Sequence, residues 1–240
     1  MNILQSSIIL LLAAASCATA AAQSLFPQVK SDPPDMEVIQ REITDRTSPY
    51  YYPRLLEQFA KNDTVMKLDK YRRLYLGYML QEDYDPYRQP YPVPERVIRL
   101  YGKEKPTRAE ADSIIKYATL SLDNDPFDLL QMGALSDALL AKGNVNLAKI
   151  WDYKLRYVLM AIVSTGTGVD EESAWYVSNA QHEYVLLNAM GFKVDNHLFY
   201  EPSFEYITVE DAQGRDAGGY YFNIGPLLRE YYRKHPDDLE

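Results

Sequence analysis

The chain has 240 residues, and 34 acidic against 25 basic side chains leave a formal net charge of −9. That balance makes nucleic acid and anionic lipid surfaces poor partners. Cys17 is the single cysteine, so the sequence offers no internal disulfide and no cysteine-built metal centre.

The first 22 residues read as an export signal. Residues 8–12 are unbroken apolar, small residues fill 13–22, and the polar Gln23 and Ser24 follow. An apolar run feeding an A-x-A site is the layout of a secretory signal peptide, although residues 1–5 carry no Lys or Arg. The run is too short for a transmembrane helix, which needs about 20 apolar residues. Two processing readings stand side by side. Cleavage after Ala22 removes Cys17. A lipobox-like reading of Ala14-Ala15-Ser16-Cys17, with Ala where Leu is usual, keeps Cys17 as a lipid anchor. Both take the protein out of the cytoplasm.

Residues 23–34 read as a tether. A short helix is expected over 35–44, with Met36, Ile39 and Ile43 at helical spacing. In SPYYYPRLLEQFAKND, Pro53 suits a helix first turn. Asp69 is expected to cap DKYRRLYLGYMLQ, whose Tyr71, Leu74, Tyr75 and Tyr78 share one face. YDPYRQPYPVP is a proline-rich break, and PERVIRLYG a short helix ending at Gly102. Thr107 and Glu110 form a capping box ahead of RAEADSIIKYATLSL. Asp125-Pro126 is expected to cap FDLLQMGALSDALLAK, which stops at Gly143. NLAKIWDYKLRYVLMAIV follows after a short turn, which sets an antiparallel hairpin with Ala148 as its small packing residue. This pair partly resembles a tetratricopeptide hairpin, without a third repeat.

Beyond STGTGVDEE the texture changes. SAWYVS reads as a short strand, and Ser178 with Gln181 as a capping box for NAQHEYVLLNAM, closed by Gly191. FEYITVE and GGYYFNI read as an antiparallel hairpin around EDAQGRDA. Pro226 opens a last helix, PLLREYYRKH, with Arg233 and Lys234 in its final turn. The expected fold class is α+β, mainly α: antiparallel helical hairpins over 35–165, then a small α/β cap over 166–240. No linker divides them, so one structural unit is expected.

No catalytic motif is complete. His182-Glu183 begins like a zincin, but Leu186 stands where the second His belongs, so His182 is read as a helix-surface residue. His235 lies in the tail without ligand partners, and no metal site built from histidine is expected. Asp123, Asn124, Asp125 and Asp128 lack the spacing and glycine of a calcium loop. STGTG (164–168) lacks the Lys of a phosphate loop and the order of a nucleophile elbow, and is read as a flexible connection. Asp170, Glu171 and Glu172 are neighbours on a loop, which says nothing of a shared cleft. No cofactor is implied, and no catalytic, cofactor-binding or metal residue is assigned.

The anomaly is tyrosine: 21 against seven Phe and two Trp. Tyr joins a large apolar body to a polar tip, so it fills wet helix interfaces or builds recognition surfaces. Tyr50, Tyr51, Tyr52, Tyr84 and Tyr87, with Arg72 and Arg73, lie off the apolar stripe and form the candidate binding surface.

The blocks YYYPRLL (50–56), LDKYRRLYLGYMLQEDYDPY (68–87), STGTG with SAWYVSNAQHEYVLLNAMGF, and FEYITVE with YYFNIGPL run in order over most of 45–230. Together they resemble an uncharacterised secreted family of Bacteroidetes, domain of unknown function 4919. The resemblance implies a Gram-negative envelope protein, periplasmic or surface-exposed, and implies no activity and no catalytic residue. DTV (63–65) and DSI (112–114) also resemble the envelope O-glycosylation acceptor of those bacteria. The expected function is a non-catalytic envelope interaction module with a protein partner. The alternatives are a glycan or small-ligand binder that stacks on Tyr, and a hydrolase built on converging carboxylates.

Overall fold

The computed structural model describes residues 29–239. The expected signal peptide and Cys17 lie outside them. Among the described residues no helix is long and apolar enough to cross a membrane. The fold is mainly helical, with a small open sheet at its C-terminal end.

Helix α1 (Met36–Thr44) starts where the Asp35 carboxylate accepts the Val38 N–H at 2.9 Å, and it buries Ile39 and Ile43. Helix α2 (Tyr52–Ala60) opens on Pro53 and buries Tyr52, Leu55 and Phe59. Both pack on α3 (Leu68–Tyr78), which buries Tyr71, Leu74, Tyr75, Leu76, Gly77 and Tyr78. Gly77 permits the close approach: a Cβ there would meet Ile43 and Tyr52 side-chain atoms at 3.1–3.3 Å. Asp69 does not cap α3. The helix begins at Leu68, two residues earlier than a cap at Asp69 would set it, Lys67 holds the cap position, and the Asp69 carboxylate accepts the Tyr50 hydroxyl at 3.0 Å.

After the proline-rich break comes the single turn α4 (Glu95–Ile98), followed by α5 (Arg108–Asn124) with the expected Thr107–Glu110 capping box. Helix α6 (Leu129–Ala141) is capped by Asp128, not Asp125. Pro126 and Phe127 lie ahead of the first turn, so Asp125 instead accepts the Phe127 N–H at 2.9 Å. Helix α7 (Val145–Val163) packs against α6 across the turn at Gly143, whose φ is +80°, and against α3 on another side. Ser136 Oγ donates to the Ala148 carbonyl at 3.0 Å across the α6–α7 contact, where Ala148 is buried.

The sheet has the order β1-β4-β3-β2. Strands β2 (Lys193–Tyr200), β3 (Phe204–Glu210) and β4 (Asp216–Asn223) form an antiparallel meander, and β1 (Trp175–Tyr176) runs parallel to β4. The β3–β4 hairpin is the expected one. Strand β2 was not expected: KVDNHLFY mixes charge and aromatics without clean alternation. Helix α8 (Gln181–Ala189) joins β1 to β2, and α9 (Gly225–Lys234) follows β4. Ala180, not Ser178, precedes α8, and it makes no side-chain cap. Ile207, Val209, Tyr220 and Phe222 fill the inner face of the sheet. They belong to one apolar cluster with Leu55, Tyr71, Tyr75 and Ile162 of the helical body.

The STGTG segment is a tied loop, not a flexible connection. Ser164 and Thr165 are buried, and Trp175 Nε1 donates to the Gly166 carbonyl at 3.0 Å. The Thr167 and Gly168 amides both donate to the Ser173 carbonyl at 2.8 Å. A Cβ at Gly166 would sit 2.0 Å from that same oxygen, so only glycine lets the two backbones meet. Gly168, with φ +71°, lies against the Trp175 indole, which stacks on Tyr220 at 4.9 Å.

Candidate functional site

The seven residues expected to form one binding surface are scattered by the fold. Tyr52 and Tyr84 are buried, and Tyr84 Oη donates to the Ser178 carbonyl at 2.7 Å. Tyr50 is half-buried beneath the Arg73 guanidinium, 4.7 Å from its ring centre, and Arg73 pairs with Glu42 at 2.8 Å. Arg72 donates to the Ser164 carbonyl and hydroxyl and to the Asp32 carbonyl, tying residue 32 to the STGTG loop. Tyr51 is half-buried with Arg54 6.0 Å from its ring centre. Only Tyr87 is exposed, edge-on to Tyr231. Arg72 and Arg73 meet protein because α3 is covered by α1, α2 and α7, and Tyr52 belongs to the buried face of α2.

His182 is likewise internal, which corrects the surface reading. Tyr75 Oη accepts the Ser178 N–H at 2.9 Å and donates to His182 Nδ1 at 2.7 Å. His182 Nε2 then donates to the Phe127 carbonyl at 2.8 Å. Burial drives the imidazole pKa down to about 4, so the ring is neutral, with one donor and one acceptor nitrogen as this chain requires. Every group is satisfied, and the network locks α3, α8 and the 125–128 turn together.

The exposed aromatics gather on the sheet instead. Strand β2 is one of its two edges, and Leu198, Phe199 and Tyr200 are 39, 55 and 41% exposed. Pairing places Leu198 beside Tyr206 and Tyr206 beside Tyr221 on the outer face. The Tyr206 and Tyr221 rings lie 4.6 Å apart, and Tyr200 stands 6.3 and 6.2 Å from them. Tyr206 lies over Gly219, where a Cβ would be 2.5 Å from its Cζ.

A second cluster forms where α8 meets the inner face. Glu183 of α8, His197 of β2 and Glu205 of β3 each bring a ligand-type atom to within 4.8 Å of the others. His197 Nε2 is 3.3 Å from Glu205 Oε2, and His197 Nδ1 meets Tyr184 Oη at 3.1 Å. Glu183 is fully buried and neither of its carboxylate oxygens has a hydrogen-bond partner. Burial first, and then the Glu205 carboxylate beside it, raise its pKa well above the usual range. Two ionised carboxylates offer no donor to each other, whereas a proton on one would let them pair. Sequence inspection missed the trio because only the sheet register, through the unexpected β2, brings it together. Its one sequence signal was Glu183 in the incomplete His182-Glu183 pair. Asp170, by contrast, accepts the Ser173 N–H and hydroxyl at 2.8 and 2.7 Å and thereby shapes its own loop. The surface cleft of about 290 Å³ beside Tyr101, Ile114 and Ala138 is remote in sequence from the trio and shares none of its residues.

These features define a helical protein with a small aromatic-faced open sheet and tyrosine-rich clusters inside and out. The chain belongs to the family described as Domain of unknown function (DUF4919), whose model matches residues 37–233. No curated protein and no solved structure matches it significantly.

Proposed function

We propose that the protein is a non-catalytic binding protein of a Gram-negative cell envelope, exported by its N-terminal signal. Its recognition surface is the edge and outer face of the C-terminal sheet, and its partner is an extended segment of another protein. The observation that carries this reading is the bare apolar end of β2. A sheet edge presents unpaired N–H and C=O groups, and edges are usually blunted by charge or a bulge. Here Lys193, Asp195 and the register shift between Val194 and Asn196 guard only the start of the strand. Its end is Leu198-Phe199-Tyr200. Adding a partner strand there satisfies the backbone and offers side-chain contacts on alternate positions.

A photocrosslinking residue placed at Phe199 in native cells tests this, against the same residue at the exposed Val65 of the helical body. A discrete adduct from position 199, lost when Tyr200 is replaced by Lys and absent from position 65, supports the reading. Equal labelling from both positions contradicts it. A second reading is favoured by the Tyr206 ring lying over Gly219 beside Tyr221, a stacking platform for a neutral saccharide. Titration with a neutral soluble oligosaccharide that quenches aromatic fluorescence, with loss of the effect in Tyr206→Ala, selects that reading instead.

A further inference from the structure

The geometry points to a divalent transition-metal site, matched to Zn²⁺, formed by Glu183, His197 and Glu205 at the junction of α8, β2 and β3. Ligands at 2.0–2.1 Å from a tetrahedral ion lie about 3.3 Å from one another. His197 Nε2 and Glu205 Oε2 already stand at 3.3 Å. The three donor atoms lie within 4.8 Å, so the remaining contraction is at most about 1.5 Å, within reach of a glutamate side-chain adjustment.

The independent observation is Glu183 itself. Its carboxylate is fully buried, faces the other two groups, and finds no hydrogen-bond donor; its one polar neighbour of this kind is the Glu205 carboxylate, which can partner it only when one of the two carries a proton. Buried carboxylates are ordinarily paired or bound to metal. A cation between the two glutamates supplies the missing partner and removes their mutual repulsion. His197 carries the matching outer contact: Tyr184 Oη engages Nδ1 and leaves Nε2 toward the carboxylates. Metal-bound histidines are oriented in this way by a partner on the second ring nitrogen. One imidazole with two carboxylates suits zinc, iron or manganese better than calcium or magnesium, which prefer all-oxygen sets. The His197 side chain is 34% exposed, so solvent can complete the coordination from that side. Once bound, the ion cross-links the edge strand β2 to helix α8. The site stands on its own contacts and survives or fails independently of the partner-binding reading.

The alternative is a metal-free trio in which Glu183 keeps a proton and shares it with Glu205. Calorimetric titration of chelator-treated protein with ZnCl₂ separates the two. We expect saturable 1:1 binding that is lost in Glu183→Gln and His197→Gln and retained in His235→Gln. Tyr184→Phe should weaken it about 10-fold or more, as outer-contact losses do. X-ray absorption of the zinc form should show one imidazole among oxygen ligands. Glu183→Gln replaces a buried neutral carboxyl by an amide of the same size and should fold about as well as the parent, a point its thermal melt checks, so loss of binding there is not loss of structure. Absence of stoichiometric binding, or binding that persists in Glu183→Gln, overturns the site and leaves the shared proton as the explanation.

Discussion

Replacing Tyr75 by Phe tests whether the buried histidine network holds the helical body to α8. The substitution deletes one oxygen. Ring packing survives, including the edge-on contact with Phe127 at 5.7 Å between centres. Two buried groups lose their partner: the Ser178 N–H and His182 Nδ1. An unsatisfied buried polar group costs about 1–3 kcal/mol. Ser178 Oγ stands 3.5 Å from His182 Nδ1 and can offset part of the second loss. The expected destabilisation is therefore about 2–4 kcal/mol, seen as a Tm drop on the order of 10 °C for a chain of this size. Urea denaturation gives the free energy directly. Tyr50→Phe is the control, because its hydrogen bond to Asp69 is exposed and water replaces it, at a cost of about 0.5 kcal/mol or less. If Tyr75→Phe costs no more than Tyr50→Phe, the network is not a structural lock.

His182 also gives a pH signature. Its folded pKa is lowered to about 4 from 6.5, so the unfolded chain takes up the proton first. Its contribution is fully present above pH 6.5 and is lost as pH falls toward 4, by about 3 kcal/mol in all. The stability difference between the parent and His182→Gln, measured by urea titration from pH 7.5 to 4.5, should shrink on acidification; a flat difference refutes the assignment. Gly166→Ala should cost more than about 3 kcal/mol or abolish folding, since its Cβ would overlap the backbone oxygen of Ser173. Circular dichroism melts that match the parent would show that the STGTG loop yields freely.

Local signals were legible where one element decides them. The Thr107–Glu110 box, Pro53 in a first turn, Gly143 at the hairpin and the β3–β4 pair all follow from short-range stereochemistry. The caps at Asp69, Asp125 and Ser178 were misplaced because each lies near a helix start but is engaged elsewhere, Asp69 and Ser178 by distant tyrosines and Asp125 by a local turn. Asp69 accepts from Tyr50, Asp125 from Phe127, and the Ser178 amide serves Tyr75. Strand β2 was missed because an edge strand exposed on both faces carries no period-2 pattern. With β2 hidden, neither its aromatic end nor the meeting of His197 with Glu183 and Glu205 was visible. The tyrosine excess divides by fold position. Tyr52, Tyr71, Tyr75, Tyr78 and Tyr84 are core, whereas Tyr200, Tyr206 and Tyr221 cluster at the sheet.

The reading of this protein as a binding module rests on β2 being an open edge, and backbone amide hydrogen exchange of the free protein measures that directly. β3 is paired on both sides and should exchange slowly, whereas the amides of β2 that point away from β3 should exchange nearly unprotected. Protection of all of residues 193–200 to the level of β3 would mean that something already covers the edge, and would contradict the account.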